Sequence, residues 1–293
     1  MKFVKKSIVL LGLLSTNAFA DGFSASVGGD YSTGDYGSSE STKVFYMPFS
    51  ARYETGAFTY NVTIPWLRVT GPGDIIPGGL GGSGSGSSGG TGSNGCTEIS
   101  GKGLNSGSGG GRNTICSATT TSGGGASTTT RTSESGIGDI VAAATYNAID
   151  GGDNGFVVDF TGRIKLPTAS ESKGLGSGKT DFAVQVNVDK NFNGPYVSAG
   201  LGYKILGEPS GVSYDNVVYG SLGGGFKLAK STEVGASYDW ATAAVDGATR
   251  PQELSIYGSH YLSDNYKLSG VLYTGLTDAS PDVGGGLTLS YYF

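Results

Sequence analysis

Histidine occurs once and cysteine twice in 293 residues, and both absences exclude chemistry. One histidine cannot build a histidine-ligated metal centre and removes most hydrolases that need an imidazole base. Two cysteines make neither a disulfide-dense scaffold nor a zinc cluster. Charged residues are only 15% of the chain and the net charge is −5, so no basic surplus is available for nucleic-acid phosphates. No cofactor motif is present either. Gly174-Leu175-Gly176-Ser177-Gly178-Lys179-Thr180 imitates a phosphate loop, but the first glycine of that pattern would fall at Lys173 and no helix is expected to follow. What the chain has in quantity is glycine, 54 residues without the period of collagen, and aromatics, at 11% too many for a disordered chain.

The first twenty residues read as a cleaved signal peptide. Lys2, Lys5 and Lys6 precede an apolar core from Ile8 to Leu14, and Ala18-Phe19-Ala20 is a small-residue cleavage site. The apolar core is shorter than the ~20 residues a spanning helix needs. Cleavage would leave one domain, 21–293, and take the net charge from −5 to −8.

Beyond residue 20 no apolar run is long enough for a transmembrane helix. Two-residue alternation covers most of the chain instead. In Phe182-Ala183-Val184-Gln185-Val186-Asn187-Val188-Asp189 the even positions are apolar and the odd ones small or polar, which places them on opposite faces of a strand. Twelve such segments are expected, at 22–32, 43–53, 57–69, 137–148, 155–166, 180–192, 195–206, 215–228, 232–242, 252–262, 266–276 and 282–293. Each has about the 9 to 11 residues of a tilted membrane strand. The connections alternate. Those at 33–42, 70–136, 167–179, 207–214, 243–251 and 277–281 are long, whereas Glu54-Thr55-Gly56 and Asn193-Gly194 are short. A soluble sandwich has no reason for that regularity. An antiparallel up-and-down β-barrel in an outer membrane does, with short periplasmic turns and longer extracellular loops. Phe23, Tyr53, Phe58, Tyr146, Phe156, Tyr196 and Phe226 lie near the short turns and read as an interfacial aromatic girdle.

In the last segment Val283, Gly285, Leu287, Leu289, Tyr291 and Phe293 share one face. An aromatic at this position resembles the signal by which outer-membrane barrels are recognised by the barrel-assembly machinery, with Tyr291 and Phe293 as its residues. Four longer stretches carry a family resemblance: Ile64 to Gly73, Ser135-Gly136-Ile137-Gly138-Asp139, Lys165 through Asp181, and Ser280 to Gly284. They resemble a family of bacterial outer-membrane transporters linked to the meta-pathway of phenol degradation. The resemblance covers most of the mature chain except 74–134. It implies an outer-membrane barrel passing small solutes, with no particular substrate.

Segment 71–136 departs from the barrel pattern. Of its 66 residues 22 are glycine and most others are Ser or Thr, too little apolar area to offset ordering entropy. The expectation is an extracellular loop, with a plug folded into the lumen as the alternative. Cys96 and Cys116 both lie here, and in an exported protein they are expected to form a disulfide.

Function is expected on the inner face. By parity, the lumen-lining set includes Asp30, Arg52, Asp159, Arg163, Lys165, Gln185, Asn187, Asp189, Lys204, Lys227, Glu233, Asp239 and Glu253. Twelve strands lie between barrels packed solid with side chains and wide porins, so a narrow passive channel for small, aromatic or apolar solutes is the leading expectation. The competing one is a closed structural or surface-interaction barrel whose opposite charges fill the lumen. A lipase is the third. His260 shares the lipid-facing parity of Leu254 and Ile256, but it lies near the inner end of its strand, away from the outer rim where such a site belongs. Asp181, Asp278 and Asp282 fall near outer strand ends. Solvated loop charges are expected there, with calcium as the alternative. No enzyme activity, cofactor or metal is expected. The partners expected are outer-membrane lipid and lipopolysaccharide, the assembly machinery and a small-molecule solute, for a monomer.

Overall fold

The structure is a computed structural model describing residues 22–37, 40–71, 75–77, 117–119, 132–151, 155–192, 194–208, 213–245 and 247–293. The signal-peptide segment 1–20 and both cysteines lie outside the described residues.

Strands make up nearly all of the described chain. They are β1 (Phe23–Gly34), β2 (Thr42–Thr55), β3 (Phe58–Gly71), β4 (Ile75–Pro77), β5 (Ser117–Thr119), β6 (Thr132–Ile137), β7 (Ile140–Gly151), β8 (Phe156–Leu166), β9 (Asp181–Asn191), β10 (Pro195–Ile205), β11 (Val217–Ala229), β12 (Thr232–Ala241), β13 (Gln252–Tyr261), β14 (Tyr266–Gly275) and β15 (Val283–Tyr292). β4 and β5 pair only with each other. The remaining strands form a closed antiparallel ring. β1 pairs with both β2 and β15, β2 with β3, β3 with β6 and β7, and each later strand with its successor. β6 and β7 act as one interrupted stave, so the barrel has twelve staves. The ring itself has no open sheet edge.

Alternation explains why the ring closes this way round. Along β9, Asp181, Ala183, Gln185, Asn187 and Asp189 are buried, while Phe182, Val184 and Val188 are exposed. The other staves repeat the pattern. Val184, Leu222, Leu272 and Leu287 are 60–62% exposed, whereas Asp159 and Glu253 are fully buried. This inverts a water-soluble protein. Apolar side chains outside and ionised ones inside are stable only where the surroundings are lipid, and a closed barrel satisfies every backbone group there.

The connections alternate as the sequence implied. Turns such as Gly56-Ala57 and Lys230-Ser231 lie at one end, with the starts of β1 and the end of β15. At the other end lie the longer connections, including 167–180 and 276–282.

The departures from the expected bounds are largest in segment 71–136, which contains the strands β4 and β5 and most of β6. Residues 132–136, taken as loop, are strand, and the stave breaks at Gly138-Asp139. The break has a local cause on β3. Pro65 has no N–H to donate, so the facing strand bulges, and Gly138 N–H instead donates to Pro65 O at 2.9 Å. Thr168 then fills the gap. Its hydroxyl donates to Gly138 O at 3.0 Å and accepts from Ile140 N–H at 2.9 Å.

Candidate functional site: the barrel lumen

Of the lumen candidates named from parity, Asp30, Arg52, Asp159, Arg163, Lys165, Gln185, Asn187, Asp189, Lys204, Glu233, Asp239 and Glu253 are buried, whereas Lys227, near the short turn after β11, is exposed. Three of them, Arg163, Gln185 and Asn187, are joined by hydrogen bonds, with Asp159 beside them. β8 and β9 place Arg163 two residues along from the Thr161–Gln185 pair, and Asp159 opposite Asn187. Arg163 Nη1 donates to Gln185 Oε1 at 2.6 Å and to Tyr219 Oη at 3.3 Å, and Gln185 Nε2 donates to Asn187 Oδ1 at 2.7 Å. Asp159 accepts from Asn147 Nδ2 at 2.8 Å. Lys204 lies across Ala183 from Arg163, with its Nζ 5.6 Å from the Tyr219 ring centre. Asp239 lies on β12, three staves from β9, and accepts from Ser237 Oγ at 2.9 Å.

Lys165 is apart from this group, at the long-loop mouth. Its Nζ lies 2.7 Å from Asp181, 3.3 Å from Asp139 and 2.9 Å from Ser177 Oγ. Asp181 is therefore not a solvated loop charge, as its sequence position suggested. It is buried against Lys165 and also accepts from Gly207 N–H at 2.9 Å. Among the described residues no group of three or more His, Cys, Asp or Glu is placed to hold a metal ion.

Sequence reasoning missed a set of inward tyrosines. Tyr196 had been placed in the outer girdle because it lies beside a short turn. It is buried inside, where its hydroxyl donates to Glu233 at 2.8 Å and lies 3.0 Å from Tyr257 Oη. Parity with Ser198 gave the right side, and nearness to the turn misled. Of the other girdle aromatics, Tyr53, Phe58, Tyr146, Phe156 and Phe226 are exposed on the outer face and Phe23 is half-buried. Tyr273 donates to Asp30 at 2.8 Å. Tyr219, Tyr257 and Tyr273 lie flat over Gly202, Gly235 and Gly284 on neighbouring strands, where any added Cβ would collide with the ring. No single-strand pattern reveals this, because each glycine faces its tyrosine only through the register.

Several polar atoms inside make no hydrogen bond within the described protein: Asp159 Oδ2, Asn187 Nδ2, Arg163 Nε, Ser198 Oγ and Ser221 Oγ. Three of their residues follow one cross-strand row, Asp159 opposite Asn187, Asn187 opposite Gly200, and Gly200 opposite Ser221. Buried polar atoms without partners are costly, so a lumen holding them is one that takes water or a polar solute. The inner charge is also unequal. Asp30, Asp139, Asp159, Asp181, Asp189, Glu233, Asp239 and Glu253 are buried, against Arg52, Arg163, Lys165, Lys204 and Lys267.

His260, weighed as a lipase base, is exposed on the outer face at the short-turn end of β13, with Nδ1 2.7 Å from Thr232 Oγ1. That is the rim expected from the sequence.

Residues 16–293 match the protein family described as "Putative MetA-pathway of phenol degradation". No curated protein matches the chain. Among solved structures, an outer membrane channel from Pseudomonas putida F1 is similar with a TM-score of 0.58 at 14% identity, over 94% of this chain and 97% of that one. The NanC porin has a TM-score of 0.50 at 8% identity, over 92% of this chain and 98% of the porin. At such identities the likeness shows a shared barrel fold.

Proposed function

We propose that this chain, which belongs to the phenol-degradation family just described, is a narrow passive channel of the bacterial outer membrane for small solutes and not an enzyme. The observation that carries this reading is the row of unpartnered buried polar atoms across β8 to β11, which calls for water along the lumen. Short turns would face the periplasm and long loops the exterior. The family description favours small aromatic solutes such as phenols, whose ring and hydroxyl suit a lumen mixing tyrosine rings with hydrogen-bonding side chains.

Planar-bilayer recording of the full-length protein tests it. Stepwise single-channel currents are expected, altered in amplitude by Arg163→Gln, because that guanidinium holds Gln185 and Tyr219 in the lumen. A closed structural barrel is the second reading, favoured by the near-complete burial of Lys165, Asp159 and Glu253. It requires no current above background from protein that shows the heat-dependent gel mobility of a folded barrel.

A further inference from the structure

An apolar socket lies in the polar lumen close to the long-loop mouth. Val44 and Tyr46 of β2 and Leu67 and Val69 of β3 all face inward, and Leu175 fills the space between them, only 1% exposed. Leu175 belongs to neither strand. It comes from the connection 167–180, which leaves β8 three staves away from β2.

The path of that connection is defined at each step. Thr168 ties its base into the gap between β6 and β7. Ala169 N–H donates to Asp139 Oδ1 at 2.9 Å. One turn of 3-10 helix, Glu171–Lys173, follows on the solvent side, and Gly174 ends it at φ 65°, in the left-handed region that favours glycine. This reversal aims Leu175 back into the barrel. Ser177 then reaches Lys165, and the chain rejoins the wall at Asp181. Between Thr168 and Asp181 its backbone hydrogen bonds are local: Lys173 to Ser170, Gly174 to Glu171 and Leu175 to Ser170. No ladder holds the strap to the wall. Inward, it is held by Ala169 and Leu175 in the apolar cluster and by Ser177, whose hydroxyl accepts from Lys165. A segment with few buried apolar contacts and only local hydrogen bonds opens at much lower free energy than the strands beneath it.

We propose that strap 167–180 sets the size limit of the long-loop mouth, with Leu175 as the side chain that determines it. Seated, Leu175 narrows the mouth over β2 and β3. Unseated, it frees the socket and widens the path. The proposal rests on the channel reading, so its test reads strap position separately from current.

Cys96 and Cys116 are replaced by serine in the full chain, and Val69→Cys is introduced as a reporter inside the socket. A bulky membrane-impermeant maleimide then labels protein whose gel mobility shows a folded barrel. With Leu175 present labelling is slow. With Leu175→Ala it is at least about tenfold faster, the shift expected when a local opening loses a buried leucine. Single-channel conductance rises in the same variant. In a second variant, Leu175→Cys with Leu67→Cys, oxidation locks the strap and lowers conductance, and reductant restores it. Equal labelling with and without Leu175 overturns the strap. Faster labelling with no current in any variant upholds the strap and overturns the channel.

Discussion

Lys165 neutralises more buried charge than any neighbouring side chain at the mouth, because its one ammonium lies between Asp139 and Asp181, both almost fully buried. Replacing it by methionine keeps the stem and removes the charge, leaving two carboxylates desolvated and facing each other. Breaking a buried pair by removing one partner costs about 3–5 kcal/mol. Lys165→Met is therefore expected to lower the urea midpoint of the folded band by a corresponding margin. An unchanged midpoint would mean the two carboxylates are solvated. Tyr36, in the connection after β1, gives a second residue-scale test. Burial raises its pKa above the ordinary range, and the negative charges of Glu253 and Asp282 raise it further. As pH climbs past about 10, the phenol ionises in the unfolded chain but stays protonated in the folded one. The unfolded state then binds fewer protons, so stability falls with rising pH. Melting curves between neutral and strongly alkaline pH should show this loss, and Tyr36→Phe should flatten it.

At the scale of elements, most of the barrel was legible because lipid outside and charge inside impose a two-residue period on every stave. The loop-length alternation was legible for the same reason, since only one end of the ring needs short turns. β6 was not. Its residues Thr132-Ser133-Glu134-Ser135 alternate between polar and polar, so no contrast separates them from the Ser/Thr-rich segment before them. The strap was hidden as well. A single leucine among Gly, Ser and Lys carries no period, and its socket is assembled from strands more than a hundred residues earlier. The last stave permits a test of the assembly role proposed for Tyr291 and Phe293. Phe293 is outward and 46% exposed, its ring 4.8 Å from Tyr291 and 5.0 Å from Phe23, and its N–H donates to Phe23 O at 3.1 Å. These contacts are worth about 1.5–3 kcal/mol of burial at most, which a barrel closed along every strand tolerates. Deleting Phe293 should therefore reduce the amount in the outer membrane far more than it reduces refolding into detergent. Equal losses in both would assign the residue to stability alone.

At the scale of the whole barrel, the lumen carries a surplus of negative charge, with eight buried carboxylates against five buried cations among the described residues. The surplus is spread around the ring: Asp30 on β1, Asp159 on β8, Asp189 on β9, Glu233 and Asp239 on β12 and Glu253 on β13. Lys165 is held between two carboxylates, and Arg163 is tied to Gln185 and Tyr219. Low-dielectric walls of one prevailing sign concentrate counter-ions in a narrow passage. A potassium chloride gradient across a bilayer should thus give a reversal potential of cation preference, on the order of tenfold for potassium over chloride, the low end of such focusing. Asp159→Asn should weaken it, since Asp159 Oδ2 has no hydrogen-bond partner among the described residues. Raising the salt to 1 M should weaken it too, because the screening length falls to about 3 Å, shorter than a narrow pore is wide. A reversal potential of chloride preference would mean that Arg163 and Lys204, flanking Ala183, govern the narrowest point, and that the surplus of carboxylates lies off the path ions take.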